Sequence, residues 1–597
     1  MIQKSGIPIA MGRVHPSLRG NLLGGTKKKE PSMTLSSLNI SASLLLLVLP
    51  WPLLAAGFLS LLLRDKKYSQ PVRKVTVFSA GFALLSAALA LVADLAGMKS
   101  SLPWYSLPLP WGLGSFSIVV GLNPLSLLMA LLVAFVGFVV ARFSARYMDG
   151  DAREVPFMGN LALTLGFFFT MVVVDNFWAF LLSWVAKGLT LHRLLVFYPD
   201  RAKARLAARK KFVLHRVADV ALFGGFVLLA RALHVDSFSG LRHVMSQGVV
   251  LTDPSLVLAA GLLSLAVVLK SAQFPLQGWL IQVMEAPTPV SALMHAGLIY
   301  SGTILFLRSW PLLAGETVFR DMLILNALAT IIVSALAMMI ASDIKGSLAW
   351  STSAQIGFML LECGLGMVSV AVMHIIAHSL YKAHAFLSSG SVVESYRGPA
   401  PSLSPRMGGT PGRMFLALGT GVLLTLATSK IMGIDILHQP ALFLLGMILS
   451  VALARLLLSG LSAEGRRGLP LLAPTAGLVL AVALATAALH RLFELFLGQD
   501  LPSSPLPGTP AQSALLIFSG LCFLGLLWIE ESVPQSSENS ILRRLYVHAG
   551  TGFYLDLLLD RALSDRGSAL QDSSEERRPL HGSLVTTPVP PTRKALP

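Results

Sequence analysis

LVLAAGLLSLAVVLKSAQFP, residues 256–275, places fourteen uncharged residues, Leu256 to Leu269, directly before Lys270, with Pro275 five positions later. The run has membrane-spanning character and the proline interrupts it, because proline lacks a backbone donor and clashes with the turn before it. Backbone groups freed in this way are tolerated at membrane depth only where protein or water satisfies them. An ionisable amine at that depth is expensive and marks an ion or proton path. The stretch predicts a broken transmembrane helix with a functional lysine at the break.

The same character extends over the chain. Of its 597 residues 54% are hydrophobic and only 13% charged, with a mean hydropathy of +0.70, whereas soluble domains carry about 25% charged residues. Apolar runs long enough to cross a bilayer recur from near Leu44 to Ile529 and number about fourteen or fifteen. The expected fold class is an all-α polytopic membrane protein with no soluble catalytic domain between its spans. Cys363 and Cys522 lie far apart inside apolar runs and support no disulfide framework, zinc site or iron–sulfur site. There are no convincing strands, and Gly419-Thr420-Gly421 inside a helix is a weak match to a phosphate loop. No cofactor, no metal and no catalytic residue are assigned to this chain. Redox or hydrolytic chemistry is expected from a partner.

The net charge of +17 reads as basic loops on the cytoplasmic side, not as a nucleic-acid surface. With Arg64, Lys66, Lys67, Arg73 and Lys74 inside, strict alternation also places the basic segment from Asp200 to Lys211 inside, so the two strongest signals agree. Residues 1–40 form a basic extension whose Lys4, Arg13, Arg19, Lys27, Lys28 and Lys29 would sit on the translocated side. Met33 is therefore the candidate start. Residues 41–122 are expected to hold the first spans, 123–435 the functional core and 436–530 the last spans. Residues 531–597 are expected to be cytoplasmic and disordered from about 564.

Several constellations suit proton transfer. Pro275, Pro287 and Pro289 fall within or beside spans, and broken helices of this sort build ion sites in transporters. His374, His378 and Lys382 recur every four residues and form one polar stripe along an apolar helix. A zinc reading of the two histidines is opposed by the lack of an intervening carboxylate and by the nearby lysine. Lys430 closes a third apolar run, and Arg216 and Asp219, three residues apart, are spaced to pair. Each has a plainer reading: Lys270 and Lys430 as lysines reaching the interface, His295 as a core histidine, Arg216 with Asp219 as a structural pair.

These residues resemble the proton-translocating antiporter family, which includes subunits L, M and N of complex I and the Mrp antiporters. The likeness runs from about Asn123 to Lys430. It rests on Asp175-Asn176, Lys211-Phe212 with Arg216 and Asp219, Lys270-Ser-Ala-Gln-Phe-Pro-Leu, Pro287-Thr-Pro-Val-Ser-Ala-Leu, Asp343-Ile-Lys345, Ser351-Thr-Ser-Ala-Gln-Ile-Gly357, and His374 to Lys382 followed by Leu387-Ser-Ser-Gly-Ser391. The resemblance implies two inverted repeats, each with a broken helix. It makes Lys270 the central proton carrier and His295, His374, His378 and Lys382 its link to a second half-channel.

One departure matters. Complex I subunits carry a glutamate directly after the tryptophan of the motif here reading Ser183-Trp184-Val185-Ala186-Lys187-Gly188, where it pairs with the broken-helix lysine. Val185 makes no ion pair, so unless another acid substitutes, Lys270 is expected to work without its usual partner, and Lys187 to add like charge if it faces inward. This loss, with Leu189 to Tyr198, Gly278 to Glu285 and Leu545 to Tyr554, resembles the membrane subunits of DAB-type inorganic carbon transporters. That likeness implies a large DabA-type partner resembling a zinc carbonic anhydrase, hydrating carbon dioxide at the expense of a proton or sodium gradient, in a prokaryotic inner membrane and its lipid. The alternatives are a proton-pumping subunit of an NADH–quinone oxidoreductase and an Mrp-type sodium/proton antiporter subunit.

Overall fold

The computed structural model describes residues 41–98, 106–248, 253–341, 343–389, 411–436, 439–462, 468–498 and 510–532, with short pieces between 544 and 561. The expectations for residues 1–40, for the start at Met33 and for the tail from 564 lie outside the described residues. In chain order the helices are α1 (Ala42–Val48), α2 (Trp51–Leu62), α3 (Ser69–Leu95), α4 (Pro124–Tyr147), α5 (Glu154–Val173), α6 (Phe177–Leu195), α7 (Ala202–Leu233), α8 (Phe238–Ser246), α9 (Pro254–Lys270) and α10 (Gly278–Gln282). They continue as α11 (Thr288–Ala296), α12 (Ser301–Arg308), α13 (Trp310–Gly315), α14 (Thr317–Ile340), α15 (Ile344–Gly364), α16 (Val368–Ser388), α17 (Pro411–Ile431), α18 (Pro440–Ser462), α19 (Gly468–Leu497) and α20 (Pro510–Ser532).

Among the described residues eight segments are long and apolar enough to cross a membrane, and four shorter apolar helices accompany them. The helices α6, α15 and α16 have similar length but carry Lys187, Glu362, His374, His378 and Lys382. Together these account for the fourteen or fifteen predicted spans.

Local sequence explains the ends. Asn123 accepts from the Ser126 N–H ahead of Pro124, Asn176 from Trp178 and Ala179, and Asp343 from Gly346. Each side chain satisfies donors that the first helical turn leaves without intrahelical partners.

The predicted break is present. The helix α9 ends at Lys270, Ala272 takes a left-handed φ of 49°, and α10 resumes at Gly278. The α14 side chains satisfy the freed backbone: Phe274 N–H donates to Thr330 Oγ1 (2.9 Å) and Asn326 Nδ2 donates to the Phe274 carbonyl (2.7 Å). Irregular backbone at this depth is stable because a neighbouring helix supplies its partners.

Two expectations need correction. Pro287 and Pro289 break no helix: Pro287 is the N-cap of α11 and Pro289 lies in its first turn, where a missing N–H costs nothing. The interruption lies instead at Gly297 (φ −151°, ψ −70°), followed by a single 3-10 turn, Leu298–Tyr300. The expected absence of strands also fails, since Ser106–Pro108 pairs antiparallel with Ser115–Ser117. Left-handed Trp111, Gly112 and Gly114 turn this hairpin, and Asp236 Oδ2 anchors it by accepting from Ser115 N–H (2.7 Å) and Oγ–H (2.9 Å). A three-residue strand is too short for alternation to reveal.

The segment Thr288–Arg308 is wholly buried, whereas only 17% of the Pro474–Leu497 window is. The α11–α12 pair is therefore an inner element, and α19 lies largely on the outside. Close approach of α12 to α9 needs Gly302, because a Cβ there would stand 2.6 Å from the Val267 carbonyl oxygen. Gly302→Val is expected to cost about 1–3 kcal/mol and to lower the yield of monodisperse protein on size-exclusion chromatography in detergent.

Candidate functional site

Lys270 lies at the C-terminal end of α9, 2% exposed. Its Nζ is 3.1 Å from Asp219 Oδ1, while Asp219 Oδ2 is 2.6 Å from the Arg216 guanidinium. The Trp184 indole N–H donates to the same Asp219 Oδ1 at 2.8 Å, and the Lys270 amine sits 4.6 Å from the Trp184 ring centroid. One carboxylate on α7 thus holds two cations and an indole. The acid that the sequence left unidentified is Asp219, which meets Lys270 in place of the carboxylate missing at Val185. The spacing of Arg216 and Asp219 had pointed only to each other, because the second partner comes from the packing of α7 against α9.

Lys187 does face inward. It is 3% exposed, donates to Ser301 Oγ, and lies 5.5 Å from the centroid of the same Trp184 ring. Lys211, also buried, turns aside and donates to the Gly188 carbonyl at 2.9 Å.

The second cluster lies on α11, α15 and α16. His295 is fully buried and stacks on Phe386 (4.5 Å, 19°). The Tyr300 hydroxyl is 2.6 Å from His378 Nδ1 and 3.1 Å from the His295 carbonyl oxygen, tying the His378 ring to the backbone of His295. The His374 ring lies 6.2 Å from that of His378. His374 Nδ1 is 3.1 Å from Glu362 Oε2 and its Nε2 is 2.7 Å from Gln355 Oε1, so acceptors stand on both sides of the ring. Lys382 is buried and donates to the Leu348 carbonyl at 2.8 Å. Glu362, His374 and Gln355 line one side of a largely apolar cavity of about 660 Å³ bounded by α14–α20, where His490 and several hydroxyl side chains also reach the wall.

The structure therefore brings Arg216, Asp219 and Lys270 together, and likewise His295, His374 and His378, with Lys382 on the same helix. Lys430 stands apart, exposed at the end of α17. Tyr300, Glu362 and Trp184 were not anticipated as parts of the site. Glu362 was legible, since it is a carboxylate inside the apolar run Met359-Leu-Leu-Glu-Cys-Gly, and the depth argument that marked Lys270 applies equally to it. Among the described residues no group of three or more His, Cys, Asp or Glu side chains could hold a metal ion.

The family profile described as NADH:quinone oxidoreductase/Mrp antiporter, TM, matches residues 174–404, and that of the NADH-ubiquinone oxidoreductase (complex I) chain 5 N-terminus matches residues 111–158. A probable inorganic carbon transporter subunit DabB2 of Halothiobacillus neapolitanus is 38% identical over 525 residues, which is 87% of this chain and 93% of that protein. A probable inorganic carbon transporter subunit DabB of Hydrogenovibrio crunogenus is 43% identical over 277 residues, covering 46% of this chain and 53% of that protein. Among solved structures, a chain of the Mrp complex from Dietzia sp. superposes with a TM-score of 0.56 at 21% identity, covering 89% of this chain and 60% of that one. The structural likeness establishes the fold.

Proposed function

Because the chain belongs to the DabB family of inorganic carbon transporter subunits, we propose that it is the ion-conducting membrane subunit of an energy-coupled inorganic carbon transporter. In this reading, cations, protons in the first place, cross through Lys270, His295, His378, His374 and Lys382. Their passage drives vectorial hydration of carbon dioxide by a large zinc, carbonic-anhydrase-like DabA-type partner in a prokaryotic inner membrane. The observation that carries the reading is the buried Lys270 amine, ion-paired to Asp219 at the break of a transmembrane helix. An amine at that depth is worth its desolvation only where its charge is used.

The parts have distinct roles. Asp219 holds the cationic form of Lys270 in place, and Arg216 anchors the carboxylate from its other oxygen. Tyr300 holds the His378 ring at Nδ1 and ties it to the His295 backbone carbonyl, with a hydroxyl that can both donate and accept. Glu362 fixes the His374 ring and offers a further acceptor at the wall of the large cavity. Lys430, exposed at a helix end, carries no step here.

Affinity purification of the full chain with its native partners, followed by metal analysis, tests the assignment. One large zinc protein supports carbon transport. Iron–sulfur and quinone-binding subunits would move the chain to a redox complex, and several small hydrophobic subunits would move it to an Mrp-type antiporter. A narrower test concerns Glu362. Glu362→Gln keeps the shape and removes the charge facing His374. It is expected to slow uptake about tenfold, a hydrogen bond to a charged group being worth about 1.5–3 kcal/mol, while assembly on a native gel stays unchanged.

A further inference from the structure

A second lysine shares the space beside Lys270. A small cavity of about 10 Å³ lies between α6, α9 and the α11–α12 break, lined on its polar side by Lys187, Lys270, His215, Trp279 and Ser301. That is room for about one water molecule, and no carboxylate lines it. His215 and Trp279 are buried and contact each other at 5.1 Å, yet neither nitrogen of His215 nor the Trp279 indole N–H has a hydrogen-bond partner among the described residues. The walls thus carry polar groups without partners around a space that both lysines line.

The charges around it do not balance if both amines are protonated. Asp219 is the carboxylate in contact with the cluster and is shared by Arg216 at 2.6 Å and Lys270 at 3.1 Å. Lys187 has no acid of its own; it rests on Ser301 Oγ and against the faces of Phe168 (5.2 Å) and Trp184 (5.5 Å). The Trp184 ring that cradles Lys187 also cradles Lys270. Two like charges in one dry site disfavour each other, and an aromatic face stabilises an added cation by only about 2 kcal/mol when desolvated. A single proton shared between the two amines avoids that repulsion.

We propose that Lys187 is a second proton carrier, exchanging that proton with Lys270 through a single water in this cavity. In the step, the Lys270 ammonium gives a proton to the water as the water gives one of its own to the neutral Lys187 amine. Lys270 becomes neutral, Lys187 becomes an ammonium donating to Ser301, and the total charge is unchanged. The groups facing the pair from the packed elements are His215, Arg216 and Asp219 on α7, Trp279 on α10 and Ser301 on α12; Lys211 is turned onto the Gly188 carbonyl. The lysine that seemed only to aggravate the lost glutamate becomes the acceptor for what Lys270 releases.

This inference rests on the proton-conducting reading above, and the experiment separates the two. The complete transporter complex in proteoliposomes carries a pH-reporting dye in the lumen and is driven by an imposed membrane potential. Lys187→Gln is expected to reduce proton-coupled uptake at least tenfold. Lys187→Arg should fail to the same degree, because a guanidinium keeps the charge but does not release its proton. Lys187→His should restore part of the flux with its pH profile displaced toward acid, since imidazole titrates near neutrality. Trp279→Phe, which keeps the ring and removes the N–H, gives a second variant should Lys187→Gln fail to assemble, with an expected loss of about fivefold. Undiminished flux in Lys187→Arg overturns the proposal, because a structural donor to Ser301 would tolerate that change. If Lys270→Ala also conducts normally, the underlying reading fails; if Lys270→Ala is inactive while Lys187→Arg is active, only Lys187 is removed.

Discussion

Lys270→Ala is expected to abolish concentrative uptake of inorganic carbon while the subunits still assemble. The amine removed is the one at the helix break, and its loss leaves Asp219 paired with Arg216 at 2.6 Å and with the Trp184 indole, so no buried charge is stranded. Assembly is expected to survive for that reason. The size of the effect follows from coupling. One charge crossing 100 mV supplies about 2.3 kcal/mol, which at 1.36 kcal/mol per tenfold is about fiftyfold in accumulation ratio. Radiolabelled bicarbonate accumulated by cells expressing the complete complex should fall by about that factor, with complex abundance on a native gel unchanged. Full accumulation by Lys270→Ala would remove this lysine from the path.

Asp219→Ala is expected to do more damage to the fold than any other single change in the cluster. It leaves Arg216 and Lys270 facing each other with no carboxylate between them, and breaking a buried pair by removing one partner costs about 3–5 kcal/mol. Thermal unfolding of the purified protein should shift down clearly, and uptake should be lost. The double substitution Asp219→Asn with Lys270→Met separates the two effects. It removes both members of the Lys270–Asp219 pair, keeps an acceptor for Trp184 and leaves only the partly exposed Arg216 without its carboxylate, so part of the stability should return while uptake stays absent. Additive losses in the double variant would mean that the two residues are not energetically coupled and that the short contact between them carries little.

Much of this was legible in the sequence. Uncharged runs around Lys270 announced membrane helices because bilayer thickness sets their length, and Pro275 announced the break because its backbone cannot donate. The His374, His378 and Lys382 stripe followed from helical periodicity alone, as did the pairing of Arg216 with Asp219. Pro287 and Pro289 misled because proline is equally at home in a first helical turn, and sequence does not say which side of a boundary it occupies. Lys430 looked like Lys270, an amine closing an apolar run, but burial separates them: one meets a carboxylate from a neighbouring helix and the other is exposed.

By itself the sequence determined the class of the protein, the positions of its spans and the residues that are costly in a membrane, because these depend on hydropathy and on spacing within one helix. Tertiary structure alone decided which of them meet. The rotation of α7 against α9 brings Asp219 to Lys270 in place of the acid absent at Val185, and the inward face of α6 brings Lys187 to Ser301 at the start of α12. The 3-10 turn after Gly297 puts Tyr300 between the His378 ring and the His295 backbone, and α15 against α16 sets Glu362 on His374. Contacts between helices depend on the rotation and translation of whole elements, which no local pattern along the chain encodes.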